Sequence, residues 1–532
     1  MFFRKKRNPF LTIGILTGAV LGLFFGNILF WIIIGGLISY LIEKKGFSLK
    51  GKIIDVKKPF TKIGFWIIIV ALIFILYFFR PWFHILIMSF YTHPSIIFAV
   101  LLALFCAFAF MKKKNKWAYG LLAVAFIFFM AFLLNDVIVE KYIVSETEYH
   151  IINELPDSSQ VRIVPLAVAE RYAKDSLQKS RERLGDFDFV NMNNSLVWTT
   201  PRVPDEFILH FTQKVQGLMT VNAEKSSRQT KMISKEFKIG EDIGVTDNIY
   251  WKLYKETYFM DFGEIYYIIK DEDILTIVPI IKYHFKFPVM MPYFDGVYVV
   301  DSAGKISKHL PDEIEYIDYL KNNRAYPESL ARLYVESYQY HLGVFNAWFF
   351  HKDQIEIADV YGQKNRQPFL MPTNDGLKWI IAAEPYGESY GVFKVFVVDA
   401  VTGKIDMLEM DEDKTLTGPV RVVDYVRKKF PTIDWGEFTI IEPRPYVINT
   451  KLYWMLSITP ADFAGISNTV FVDAETNDVI SFETDDGVIE FVSKGTITIE
   501  DKKEELITKD KEDLIKEIED KLEELKELIE KE

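Results

Sequence analysis

The chain has 532 residues, half of them hydrophobic by type, with a single cysteine and a formal net charge of −11. That length calls for about three or four structural units, and Cys106 alone excludes a disulfide framework or a thiolate metal site within one chain. Residues 1–134 carry sixteen Lys and Arg against Glu43 and Asp55, so the remainder holds about −25 and repels phosphate backbones, which sets nucleic acid aside as a partner.

The first apolar stretch, 10–42, is too long for one crossing of a bilayer. As one helix it would reach roughly 50 Å at about 1.5 Å per residue, against a hydrocarbon core of about 30 Å. Gly26-Asn27 at its middle suits a turn, so the reading is two short helices, 10–25 and 28–42. A single crossing there would reverse the N-terminus and leave the later spans unchanged. Gly14, Gly18, Gly22 and Gly26 fall every fourth residue on one face of the first helix. Small residues at that spacing let backbones approach in lipid. The stripe either zips copies into an oligomer, lines a pore, or packs against the second helix of its own hairpin. Runs 63–79, 95–111 and 117–134 have the roughly 17–25 residues a span requires, so the expectation is a transmembrane domain, 1–138, of four or five spans. None contains an acidic residue, which disfavours a proton or cation relay. The basic clusters at Arg4–Arg7, between Lys44 and Lys62, and at Lys112–Lys116 mark the cytoplasmic side. Residues 80–94 then form an external loop, and everything after about Asn135 lies outside the cell.

Beyond the membrane part, one hairpin recurs. VFVVDAVTGKI (395–405), TVFVDAETNDVI (469–480) and GVYVVDSAGKI (296–306) share an apolar strand ending in Asp and a turn. A fainter copy, GLMTVNAEKSSRQ, has Asn222 at that position. Upstream strands carry a tryptophan, Trp379 before Asp399 and Trp454 before Asp473, and NSLVWTTPRVP supplies one for the faint copy. The wide spacing of Asn222, Asp301, Asp399 and Asp473 suits a repeated small domain and not a short-period solenoid. Helical patterns precede the copies at 165–184, 327–342 and 420–430, while 249–259 is ambiguous. The unit is thus helix plus antiparallel strands, with one sheet face under the helix and the other open. The expected modules are 139–235, 236–320, 321–414 and 415–486. Asp301, Asp399 and Asp473 are read as strand-end residues that accept backbone N–H groups in Asx-type turns. Gly304, Gly403 and Asn477 supply the left-handed conformation that closes each hairpin.

A helix followed by strands ending in V-x-V-D-A-x-T-G-K-I resembles the PepSY domain, over 415–483 foremost, less so over 326–411, and faintly earlier. The resemblance implies an α+β module of membrane-anchored or exported envelope proteins that binds or inhibits peptidases and has no catalytic residues.

Other chemistry is thin. The eight histidines form no HExxH spacing, and His341 and His351 flank the aromatic stretch LGVFNAWFF. DFGE at 261–264 matches a kinase motif in letters only. LEMDEDK at 408–414 lacks the alternating ligands and glycine of a calcium loop. Aromatic pairs at Tyr250-Trp251, Tyr266-Tyr267 and Trp348-Phe349 either line a peptide or carbohydrate groove or belong to cores and edges. After a β-pair expected from Gly487, the Glu/Lys-rich tail spaces Ile515, Ile518, Leu522, Leu525 and Ile529 as a coiled-coil seam. That seam either joins copies or docks on its own sheet. The expectation is therefore a non-enzymatic binding, scaffold or regulatory protein of the cell envelope with no cofactor and no metal site. Its partners are the lipid bilayer, an exported peptidase or other envelope protein, and further copies of itself. The alternatives are a transport or channel component packed through the glycine stripe, and an envelope hydrolase.

Overall fold

The computed structural model describes residues 70–495, apart from 72, 358, 360–364, 388–390, 411–414 and 463–464. The chain divides into two compact units, Met1–Tyr77 and Phe78–Glu532. Gly14, Gly18, Gly22 and Gly26, the spans expected at 10–25 and 28–42, residues 63–69 and 72 of the span expected at 63–79, and the coiled-coil seam lie outside the described residues.

The second unit opens on α1 (Arg80–Tyr91), where the sequence reading placed an external loop. Pro81 in the first turn fixes a helical φ, and Arg80, His84 and Met88, spaced four apart, bury one face. Next come α2 (Pro94–Met111) and α3 (Asn115–Leu133), a helical hairpin in which the Cys106 thiol donates to the Ala118 carbonyl across the turn. These are the two helices among the described residues that are long and apolar enough to cross a membrane. The expectation of four or five spans is corrected accordingly: most of what is described is a mixed α and β fold with several sheets. A further helix, α4 (Asn135–Glu146), leads into strand β1 (Tyr149–Ile152).

Most of the rest falls into four successive segments of related pattern, each a helix with an antiparallel sheet. The first copy has α5 (Leu166–Ser176) and β2 (Glu182–Leu184), β3 (Asp188–Met192), β4 (Ser195–Pro204), β5 (Val215–Asn222) and β6 (Thr230–Phe237). The second has α6 (Ile249–Glu256) and β7 (Asp261–Phe262), β8 (Tyr266–Lys270), β9 (Asp273–Lys286), β10 (Val289–Asp301) and β11 (Ile306–His309). In the third, α7 (Glu328–Glu336) precedes β12 (Ile355–Ile357), β13 (Phe369–Thr373), β14 (Gly376–Pro385), β15 (Gly391–Val392), β16 (Lys394–Asp399) and β17 (Ile405–Glu409). The fourth comprises β18 (Leu416–Thr417), α8 (Pro419–Lys429), β19 (Phe438–Ile448), β20 (Lys451–Pro460), β21 (Asn468–Asp473) and β22 (Val479–Phe482). Every copy builds an antiparallel sheet around a central long strand: β4, β9, β14 or β20. The strand before it is interrupted each time. Thus β2 and β3 both pair with β4, β7 and β8 both pair with β9, β12 and β13 both pair with β14, and β19 carries a bulge between Ile441 and Arg444.

The recurrent tryptophan explains why helix and sheet keep one geometry. Trp198, Trp379 and Trp454 sit at the same register, opposite Val221, Val398 and Val472. Each indole N–H donates to the carbonyl two residues ahead of its module's helix: Val164 (2.9 Å), Tyr326 (3.2 Å) and Thr417 (2.7 Å). The same residues donate their own N–H to Ala223, Ala400 and Ala474, the residues just past the recurrent Asn or Asp. Those alanines are fully buried, so the clamp leaves no room for a larger side chain. In the second copy Thr276 takes the tryptophan's register, Lys238 bonds Ser302 in place of the alanine link, and the helix starts a loop later.

Two features depart from the expected open-faced modules. Ile380, Ala382, Val395 and Val397 pack with the fourth module, while Trp379, Ile381, Phe396 and Val398 pack with α7 and the first module, so the third sheet is buried on both faces. The unbroken apolar run VFVV is the sequence counterpart of that double burial. In addition, β1, from the range assigned to the first module, joins the third sheet as a parallel edge strand beside β17. The β-pair expected from Gly487 is instead α9 (Asp485–Lys494), capped by the Thr484 hydroxyl and ended by Gly495 at φ +65°. Two aspartates in its first turn and Val488, Phe491 and Val492 on one face are helix signals that also read as alternation.

Replacing Trp454 by Phe keeps the ring's apolar bulk and removes the N–H, leaving the Thr417 carbonyl without this donor. Such a loss costs about 1–3 kcal/mol. Thermal unfolding of the full chain will show a lowered Tm, and hydrogen exchange will show the start of α8 opening first.

Candidate functional site

Two of the interruptions present a glutamate to the helix of another module. Glu264, between β7 and β8, accepts the backbone N–H of Glu328 (3.1 Å) and Ser329 (3.3 Å), the first two residues of α7. Glu442, in the bulge of β19, accepts the N–H of Leu166 (3.0 Å), the first residue of α5. A carboxylate there satisfies an orphan donor and complements the positive end of the helix dipole. Glu442 holds a left-handed backbone, φ +55°, which a non-glycine residue adopts at a cost. Its other oxygen binds Arg162 (2.8 Å) and Asn365, and Arg444 donates to the Arg162 carbonyl (2.6 Å). Arg162 in turn lies over the rings of Phe189 and Trp198.

These helix starts and strand breaks surround a cleft of about 390 Å³. Trp198, Trp379, Phe187 and Leu370 give it apolar walls, and the carboxylates of Asp186, Asp188, Glu241, Glu264 and Glu328 outnumber the guanidiniums of Arg162 and Arg324. Asp188 and Arg324 form a buried ion pair, with Arg324 over the Tyr266 ring. Burial nevertheless pushes the Asp188 carboxyl up to about 6 against the pull of Arg324. Glu241 accepts hydrogen bonds from Tyr267 (2.6 Å) and Tyr250 (3.3 Å). Burial raises it to about 7; the Tyr267 bond offsets only part of this, and the charges of Asp188 and Asp186 add to it. Glu328 is pushed to about 7 by burial and then by the charge of Glu264, with Arg324 opposing. Near neutral pH the Glu241 and Glu328 carboxyls are therefore partly protonated.

The turn residues singled out from sequence lie elsewhere, each in its own hairpin. Asp399 Oδ1 accepts the N–H of Val401 (2.9 Å) and Thr402 (2.8 Å), and Asp473 Oδ1 those of Glu475 (2.8 Å) and Thr476 (3.0 Å). Asp301 accepts from Lys305 (2.7 Å), and Asn222 from Glu224 (2.8 Å). Burial would raise the Asp399 carboxyl, but hydrogen bonds from Lys378 and from the Thr402 and Val401 N–H groups hold it below the ordinary range. Gly304, Gly403 and Asn477 have φ of +85°, +77° and +66°. At Gly403 a Cβ would also strike the Tyr326 ring. Among the described residues none of the three aspartates bonds another.

His341 pairs with Asp353 (3.0 Å) and His351 with Gln354 (2.7 Å), and no group of three or more His, Cys, Asp or Glu among the described residues is arranged to hold a metal. Trp251, Tyr266 and Tyr267 are core residues, whereas Trp348 and Phe349 are exposed. A second cavity, about 540 Å³, lies where α1 and α4 meet the second module. On its wall the His84 Nε2–H faces the carbonyls of Tyr258 and Met260, and burial lowers that imidazole's basicity although Asp261 opposes the shift.

Glu264, Glu442, Asp188, Glu241 and Arg324 were not picked out from sequence. Glu264 stands in DFGE, two residues before Tyr266, and Glu442 in IIEPRPY, four residues before Tyr446; what the two share is a glutamate at a break in a strand. Comparison with protein-family models, curated proteins and solved structures finds no match to this chain.

The cleft's raised carboxyls set a pH dependence. Their stabilising preference for the protonated form is fully present below the ordinary value of 4.5 and is lost as pH rises through about 7. The Glu241→Gln, Glu328→Gln double variant will therefore match the parent's Tm near pH 4 and exceed it at pH 8, by differential scanning calorimetry.

Proposed function

We propose that the protein is a membrane-anchored, non-enzymatic binding protein of the cell envelope. Its repeated modules, PepSY-like in sequence, face outward from the cell, and the cleft at their junction receives a cationic side chain of an exported partner such as a peptidase. The observation that supports this reading is the cleft itself. Carboxylates in excess of guanidiniums sit between aromatic walls and retain protons near neutral pH, a state that a bound cation relieves. The two apolar helices α2 and α3, contiguous with the ectodomain through α4, support the anchor. A non-specific acidic surface would attract cations weakly and lose them in salt; a walled cleft adds shape and desolvation to the charge.

Calorimetric titration of the detergent-solubilised full chain with short Lys- or Arg-containing peptides tests the reading. Basic peptides will bind with release of protons at pH 7, and the Glu241→Gln, Glu328→Gln variant will bind them about tenfold more weakly, roughly 1.4 kcal/mol. Equal binding of acidic peptides, or an undiminished affinity in the variant, would count decisively against it.

A further inference from the structure

Three separate elements around the hairpin α2–α3 expose large apolar side chains that a water-facing surface has no reason to hold. The first is α1. Its Arg80, His84 and Met88 face is buried, the Arg80 guanidinium lying over Trp251 and the His84 ring stacked on Tyr254, while Trp82 and Ile85 on the other side are 78% and 74% exposed. Only Thr92 and His93 separate this helix from α2. The second is the tip between β9 and β10, where Phe285 and Phe287 are more than half exposed. The third is the segment 342–350, in which Phe345, Phe349 and Phe350 are 76%, 65% and 76% exposed.

Their position relative to the hairpin is fixed by contacts. The Phe287 ring meets Phe128 of α3 edge-on at 5.8 Å and lies 6.3 Å from Phe98 of α2. Phe98 follows His93 by five residues and Phe128 precedes Asn135 by seven, so at about 1.5 Å per residue the ring sits roughly 7–10 Å inward from the polar ends of the two helices. That is the depth at which interfacial side chains rest, about 5–10 Å into the headgroup and acyl boundary. The aromatic segment is tethered just outside that level, on the other side of Asn135. Lys141 of α4 donates to the Tyr340 carbonyl (3.2 Å), and Gln339 donates to Glu140 (2.8 Å), both only a turn or two beyond Asn135. An amphipathic helix turned with its polar face to protein and its apolar face outward has lipid as its complement.

We propose that the ectodomain lies on the bilayer that holds α2 and α3, with the outer face of α1, the β9–β10 tip and residues 342–350 immersed in the outer leaflet. This rests on the reading that α2 and α3 cross the membrane. The skirt holds the modules at a set height and tilt, so the cleft faces along or away from the membrane in one orientation and does not swing on a flexible stalk.

The test uses the full chain with Cys106→Ala, since that is its one cysteine, reconstituted into vesicles of brominated-chain phosphatidylcholine. Single cysteines at Phe285 or Phe349 carry a bimane fluorophore, with Leu104, an exposed position of α2, and Glu475, an exposed turn residue of the fourth module, as references. The expected result is quenching at Phe285→Cys and Phe349→Cys of at least half that at Leu104→Cys, with Glu475→Cys unquenched. Quenching at Leu104→Cys with the two skirt positions no different from Glu475→Cys would overturn the proposal alone. Absence of quenching at Leu104→Cys would overturn it together with the spanning reading. Phe285 and Phe349 are exposed and outside the core clusters, so their replacement leaves the fold intact, and two independent positions report the same surface.

Discussion

The contact on which the mixed α and β part depends is a carboxylate placed at the start of a helix that belongs to another module. A helix leaves its first backbone N–H groups without intrahelical partners. Most helices satisfy them with a local side chain. Here α7 uses Glu264 from the second module, and α5 uses Glu442 from the fourth. Both glutamates stand where a first strand breaks, so the break is what carries the carboxylate across. In repeat arrays that stack in a row, each unit touches only its neighbours. Here the fourth copy reaches back to the first, at a separation of 276 residues, and the set is closed by that contact.

One of these two glutamates, Glu264, also lines the cleft, where it stands beside Asp188, Glu241 and Glu328. Burial first, and then neighbouring negative charge, pushes those three above their ordinary values. Arg162 and Arg324 neutralise part of it and stack on aromatic rings. A junction built for structural reasons is thereby left with unneutralised negative potential in a walled space. That potential is what the proposed cationic ligand would use.

How much of this can be read from residues alone differs by level. The hairpins announce themselves because a strand ending in Asp and a left-handed turn residue are local requirements, and the tryptophans stand out because a large buried ring recurs at nearly fixed spacing. The helix in 485–494 is hidden by its brevity, since Val488, Phe491 and Val492 fit both periods within so few residues. Residues 80–94 look like a loop only if every apolar stretch must either span or connect; a short helix with one buried face satisfies neither category. The cleft is illegible for a different reason. Glu264, Glu442, Asp188 and Arg324 are ordinary surface-type residues in sequence, and only the meeting of elements far apart in the chain buries them.

Strand β1 has a consequence for the order in which this molecule comes together. It follows α4 directly, yet its hydrogen-bonding partner is β17, more than 250 residues later. Until Ile405–Glu409 has been made, Tyr149–Ile152 has an unpaired edge, and closing so long a loop is slow. A strand made early in the chain is thus among the last to find its place. A chain interrupted before the third module leaves it waiting, an open strand for any passing extended segment to adopt.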